Sequence, residues 1–184
     1  MLPELLALAD RYKLSFNHDL STYDLSFELR NLPFKTITLF KKTSKVDIKI
    51  VYDFLWGTSQ KPSYFSGNTP DKHSYAIKLK LNLSNLSDFK IIESEFYDKW
   101  FSKRNHSVYC KNNEQKTALN NSKWLKTIYN ECNNTAGYSL SMSGTKLDNG
   151  FEVAIYFQSF LPHFDLLEQC IVFCLALGND ELLN

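Results

Sequence analysis

The chain has 184 residues, of which 43% are apolar and 22% are charged, with six Gly and five Pro. This composition excludes a disordered or fibrous chain, and the length suits one domain whose core stands without metal or disulfide staples. The formal net charge of +1 is unevenly spread, because the first 146 residues sum to +7 and the remainder, which has no Lys or Arg, sums to −6.

The first half of the chain is predicted to form a helix followed by an antiparallel meander. Leu5, Leu8 and Tyr12 follow helical spacing. Strands are predicted where apolar residues alternate or β-branched and aromatic residues are enriched, over residues 25–29, 36–40, 46–56 and 73–83. The segment 57–71 contains two prolines and two glycines and is predicted to be a long loop.

The second half mixes helices and strands. The sequence predicts a short helix at 96–101, a strand at 106–110, a helix over 114–132, a hairpin of strands 138–143 and 151–158, and a final helix from Pro162 to Gly178. Asn149-Gly150 indicates a type I′ turn in that hairpin.

This grouping of elements predicts an α+β fold, since strands that follow one another without crossover helices pair antiparallel. We expect an antiparallel β-sheet meander with helices packed on one face and a C-terminal β-α-β-β-α segment. Residues 1–184 are predicted to form a single α+β domain, with a possible internal seam near residue 93.

Short motifs along nearly the whole chain carry a resemblance to a known family. They are the end of the first helix with the segment up to Phe16, the Leu32-Pro33-Phe34 step, the aromatic-Asp-aromatic triplet at 52–54, the segment 86–91, and the region 96–109 with the elements after it. On these motifs the chain resembles a family of uncharacterised bacterial α+β domains of unknown function. The resemblance implies a compact bacterial domain, and it supplies no catalytic residue.

Strong catalytic and metal-binding signatures do not occur in the sequence. There is no phosphate-binding glycine loop, no H-E-x-x-H, no G-x-S-x-G and no calcium-binding loop, and the four histidines are scattered. Cys170 and Cys174 are spaced i, i+4, as two metal ligands could be, but they stand in an apolar run and are interpreted as core residues. No metal site and no cofactor is predicted.

The segments at the two ends of the chain lack targeting features. The amino terminus has no basic region before its apolar stretch, unlike a signal peptide. The longest apolar run, 166–177, falls short of the roughly 20 residues that span a bilayer. We therefore expect a soluble, cytoplasmic protein with no transmembrane segment.

Asp53 lies among apolar neighbours in a predicted strand, which leaves two interpretations. As a structural residue it forms an ion pair with a lysine of a neighbouring strand. As a functional residue it is the polar anchor of a small-molecule site around the long loop, an arrangement typical of aromatic-lined pockets, with Trp56, Tyr64, Phe65 and His73. If the protein is an enzyme, Asp53 and His73 are the first candidates for acid–base roles in a hydrolase-like reaction.

Lysine-rich strands suggest a basic surface. Its candidate residues are Lys41, Lys42, Lys45, Lys78 and Lys80. Such a cluster can bind an anionic surface or an acidic partner, or it can be a solvated sheet face. Base reading and bidentate phosphate contacts both favour arginine, and the chain has only three arginines, so nucleic-acid binding is disfavoured.

Together, these observations predict a non-catalytic binding or interaction module that meets a protein partner or an anionic surface. The alternatives are a small-molecule-binding domain or a hydrolase-like enzyme with a site near Asp53 and the 57–71 loop. The sequence does not predict the oligomeric state.

Overall fold

The computed structural model describes residues 2–17, 34–43, 46–55, 72–82, 85–93, 105–134, 139–159 and 162–178. Within them the helices are α1 (Leu2–Tyr12), α2 (Asn113–Asn121), α3 (Lys123–Asn134) and α4 (Phe164–Gly178). The strands are β1 (Ser15–Asn17), β2 (Phe34–Lys42), β3 (Val46–Leu55), β4 (Lys72–Leu81), β5 (Phe89–Glu93), β6 (His106–Cys110), β7 (Ser139–Leu147) and β8 (Gly150–Ser159).

All eight strands belong to one open antiparallel sheet with the order β1-β2-β3-β4-β8-β7-β5-β6. Strands β2, β3 and β4 form the antiparallel meander predicted for their segments, and β1, which was not predicted, pairs with β2 at its edge. The hairpin β7–β8 then inserts between β4 and β5, so strands from both sides of residue 93 share the sheet. The predicted α+β fold class is confirmed, and the number of domains stays a prediction.

One face of the sheet carries the core. Along β3 the side chains of Ile48, Ile50 and Tyr52 are buried, and β8 buries every second residue from Phe151 to Ser159. This period of two places alternate side chains on opposite faces of a strand. The helices cover the buried face: α4, with eight buried residues, contacts β4, α1 and α3.

Glu168 of α4 holds α1 in place. Its Oε1 accepts hydrogen bonds from Arg11 Nη1 at 2.5 Å and from the Tyr12 hydroxyl at 2.7 Å. The pKa of the Glu168 carboxyl is lowered by these two bonds. The hydrogen bond from Tyr12 has the larger effect, and the bond from Arg11 has the next largest. The contact therefore joins α4 to the last turn of α1.

The single long helix predicted over 114–132 is in fact two helices, because the helical backbone is interrupted at Ser122. The Ser122 backbone has ψ 123°, which is outside the helical region, and its Oγ accepts a bond from Leu125 N at 3.4 Å. Serine and asparagine side chains compete for backbone hydrogen bonds and so favour helix ends over helix interiors. The prediction of one helix was therefore wrong at this point.

The predicted hairpin is present, but its turn is not type I′. A type I′ turn requires two positive φ angles. Leu147 pairs with Gly150 across a two-residue loop, and neither loop residue has a positive φ; Gly150 itself has φ +138°. Its Cα also faces the Leu81 carbonyl, which a Cβ at Gly150 would meet at 2.2 Å. Glycine is thus required at position 150 both by its positive φ, which side chains rarely allow, and by the close approach of β4.

Several sequence predictions concern residues outside the described part. These are the strand at 25–29, the loop at 57–71 and the short helix at 96–101. The structure also contains two strands that the sequence pattern did not predict, β1 and β5. Both are short, with three and five residues, so their periodicity carries little signal.

Candidate functional site

The sheet face opposite the helices is the candidate functional site, and we call it the open face. Its side chains form rows that run across the strands, because antiparallel register places paired residues on the same face. One row crosses all eight strands and is here called the basic row: Ser15, Phe40, Lys49, Lys78, Ala154, Ser143, Lys90 and Tyr109.

The basic row differs in charge from the row beside it. The adjacent row, Lys42, Asp47, Lys80, Glu152 and Thr145, alternates in sign, and Lys80 Nζ lies 4.0 Å from a Glu152 carboxylate oxygen. The basic row has three lysines and no acidic member, and its lysines are exposed. Within the described part of the chain, none of these three lysines takes part in an ion pair. The positive charge of the three lysines is therefore not balanced by an acidic residue within the basic row.

Two of these lysines face each other directly. Lys49 of β3 and Lys78 of β4 are register partners, with Lys42 and Lys80 at the diagonal positions around Lys49. Like charges directly opposite on a sheet are destabilising. Folding alone does not favour this arrangement, which makes the basic row a candidate for ligand binding.

At its β6 end the basic row runs into an open groove of about 740 Å³. Four lysines line the groove, Lys90, Lys111, Lys116 and Lys146, together with the acidic Asp88. The exposed ring of Tyr109, with 58% of its surface accessible, also lines it. The groove therefore extends the positive charge of the row around the edge of the sheet.

The wall of the groove is fixed to α2 by an amide clamp. Gln115, which is 3% exposed, accepts a bond from Ser87 N at 2.7 Å and donates one to the Ser87 carbonyl at 2.8 Å. Asn112 caps the helix by accepting from Gln115 N. Asp88 accepts a bond from Lys146 N at 2.7 Å, which ties the same wall to β7. Because its carboxylate is engaged in this way, Asp88 has a structural role in the groove.

Gly144 forms part of the groove where two buried rings meet beneath it. Phe89 and Phe151 stack with centroids 5.9 Å apart. A Cβ at position 144 would lie 2.3 Å from a Phe89 ring atom and 2.6 Å from a Phe151 ring atom. Only glycine leaves room for both rings here, and the rings in turn support the strands that carry Lys90 and Thr145.

The structure separates the five predicted basic-surface residues. Lys42, Lys78 and Lys80 are exposed on the open face, whereas Lys45 lies outside the described residues. Lys41 is on the helix side of β2, where its Nζ donates to the Tyr12 carbonyl at 2.9 Å. Its contact is therefore with α1 and not with the basic row.

Lys90, the other groove lysines and Tyr156 were not predicted as site residues from the sequence. Lys90 stands between the buried Phe89 and Ile91, an alternation that marks a half-buried strand. That pattern could have placed Lys90 on an exposed face, although it could not have identified the neighbouring strand.

The predicted small-molecule site around Asp53 falls largely outside the described residues. Trp56, Tyr64 and Phe65 lie in the part that is not described, and of Asp53 only the backbone is described, paired with Thr36 and Ser74. His73 is buried on the core face. Its Nδ1 lies 2.7 Å from the Tyr52 hydroxyl in a buried hydrogen bond. The ligand-binding role of these five residues stays a prediction.

The tyrosines beside His73 are structural in their contacts. Tyr75 stacks on Phe157 with centroids 4.3 Å apart, and its hydroxyl accepts a bond from His163 N at 3.0 Å. Burial raises the pKa of Tyr75 to about 12 and raises that of Tyr52 further. Both phenols therefore stay protonated at neutral pH, as buried hydrogen-bonding groups do.

The cysteines predicted to be core residues are buried, as expected. Cys170 and Cys174 have no exposed surface. Burial raises the pKa of the Cys174 thiol to about 12 and that of Cys170 well above its ordinary value. A metal ligand must be a thiolate, so this environment opposes metal binding. The described His, Cys, Asp and Glu side chains form no group of three or more suited to a metal ion.

Comparison with known proteins adds no relative. No protein-family model, no curated protein and no solved structure matches this chain. The resemblance to uncharacterised bacterial domains thus stays a prediction. Over the residues that the structure describes, no helix is both long enough and apolar enough to cross a membrane.

Proposed function

We propose that this chain is a non-catalytic binding module that recognises an anionic partner through the basic row and the adjoining groove. The observation that carries the proposal is the basic row itself. Three exposed lysines of that row, Lys49, Lys78 and Lys90, stand in register across the sheet without an acidic member among them. A surface of one charge sign raises the local concentration of oppositely charged ligands and accelerates their association.

The contacts of the described histidines support a binding role over a catalytic one. His106 is buried and stacks on Tyr129 with centroids 5.1 Å apart, and His163 Nδ1 accepts a bond from Leu166 N at the start of α4. His73 bonds to Tyr52 in the core. Each of these side chains contacts the core or a helix end and none lines the groove, which is consistent with a site that binds by charge and shape.

The experiment compares two double variants with the same change in net charge. Lys78→Glu/Lys90→Glu reverses charges in the basic row, and Lys123→Glu/Lys126→Glu reverses two exposed lysines of α3 in the helical layer. We expect the row variant to elute from immobilised heparin at a clearly lower salt concentration than the helix variant. Far-UV circular dichroism verifies that both variants are folded. Equal elution of the two variants contradicts the proposal, because it shows that only net charge matters.

A further inference from the structure

Exposed aromatic rings share the open face with the lysines. Phe40 and Tyr109 are in the basic row, and Tyr156 lies one row away on β8; they are 41%, 58% and 41% exposed. Isolated exposed aromatics are common on protein surfaces. Here, however, all three rings lie on the face that carries the lysines of the basic row. A partner that uses both the rings and the lysines can therefore be distinguished from one that uses the lysines alone.

Tyr156 is held as a platform near the middle of the sheet. Its register partners are Ala76 and Ser141, and Ala154 precedes it on the same face. These small side chains leave the ring uncovered. The amide of Gln158, two residues along β8, donates to the Tyr156 hydroxyl and also to Ser74 Oγ. The ring therefore leans along the strand in a fixed orientation with its surface accessible.

Lysines lie on both sides of this ring across the sheet. From strand spacing and rise, the Cα of Lys78 lies about 8 Å from that of Tyr156, and those of Lys49 and Lys90 lie about 12 Å away. Tyr109 lies about 16 Å from Tyr156, and Lys90 stands between them. Two rings are thus separated by positive charge.

We infer that the open face binds single-stranded nucleic acid without sequence preference, and this inference rests on the proposed anion-binding function. Proteins that bind single strands in this way combine a basic surface that tracks the backbone with aromatic side chains on which bases stack. An acidic peptide would use the lysines but has no need of exposed rings. Few arginines disfavour sequence-specific base reading, yet stacking and lysine–phosphate contacts require none.

The test measures fluorescence anisotropy with two labelled probes of similar length, the oligonucleotide dT15 and a peptide of fifteen glutamates. We expect dT15 to bind with a logarithmic salt dependence of about −2, since three lysines each contribute roughly −0.7 for a single strand. Replacing Tyr156 by Leu should weaken dT15 binding by roughly 5- to 150-fold, which is the range of one lost base–aromatic stack. The same variant should leave binding of the glutamate peptide unchanged.

Two further variants control for structural effects. Tyr156→Phe keeps the ring but loses the hydroxyl, so we expect it to retain most of the dT15 affinity. Leu6→Ala changes a side chain of similar exposure on α1, far from the open face in the fold, and should have no effect.

Each remaining outcome has a definite meaning. If dT15 binds equally well to Tyr156→Leu, stacking plays no part and the inference is wrong. If the glutamate peptide binds through Lys78 and Lys90 while dT15 does not, the inference is wrong and the proposed function stands. If neither probe binds, both are overturned.

Discussion

Replacing Lys49 by Glu should stabilise the fold while weakening ligand binding. Lys49 lies directly opposite Lys78, and the diagonal positions on its two neighbouring strands hold Lys42 and Lys80. A glutamate would convert the direct like-charge contact into an attractive one and both diagonal contacts as well. On its own strand it would lose the attraction of Asp47, two residues away on the same face.

The magnitude follows from cross-strand pair energies. An opposite-charge pair on a sheet contributes about 0.2–1 kcal/mol and a like-charge pair is destabilising, so the change at Lys78 alone is about 0.4–2 kcal/mol. Solvent screening of exposed side chains and the new repulsion from Asp47 reduce this value. We expect a gain of about 1 kcal/mol at low salt, or a rise of about 2–4 °C in Tm for a chain of this size.

Thermal unfolding followed by far-UV circular dichroism, in 20 mM and in 500 mM NaCl, measures the effect. The gain should shrink at high salt, because the Debye length falls below the separation of the charges. Lys126→Glu on α3 is the matched control. It should change Tm by only a few tenths of the change expected for Lys49→Glu. A lower Tm for Lys49→Glu at low salt, or a gain that salt does not change, would refute the electrostatic reasoning. The Lys49→Glu variant should also bind heparin more weakly than the wild type does.

Three other predictions concern packing, pH and thiol access. Gly144→Ala should lower the free energy of unfolding by about 1–3 kcal/mol, because its Cβ would overlap two buried rings; urea unfolding measures this, and an unchanged midpoint would contradict it. Glu168→Gln should lower stability at pH 7 by about 1 kcal/mol or less. Because the folded-state pKa of Glu168 is depressed, its contribution is present above the unfolded-state pKa and is lost as pH falls through the folded-state value. The difference between variant and wild type should therefore shrink in urea titrations as pH falls below the ordinary glutamate pKa, and a difference that pH does not change would argue against the linkage. Cys174 should react with a thiol reagent only after unfolding, whereas Cys110, which is partly exposed, should react in the native protein; native labelling of Cys174, detected by mass spectrometry, would show that α4 opens.

The groove could not be predicted from the sequence because its residues come from distant parts of the chain. Its wall depends on Gln115, a polar residue in a helix of low apolar content, which sequence patterns assign to solvent. Burial of that side chain becomes favourable only because Ser87 offers both a donor and an acceptor at matching positions. From the sequence, Gly144 is an ordinary glycine in a strand. Its role becomes visible only in the fold, where pairing of β5 with β7 brings the two rings together beneath it.

Local alternation by itself determined which side chains of β3 and β4 are buried. Ile48, Ile50 and Tyr52 on one face, and Lys78 and Lys80 on the other, follow from a period of two that each strand carries in its own residues. Strand order and register are different, since they depend on pairing between segments far apart in the chain. The insertion of β7–β8 between β4 and β5 places Lys90 in register with Lys78 and sets Tyr156 between them. The sequence therefore decided that this protein has a lysine-bearing sheet face, and only the tertiary structure decided which lysines and rings share it.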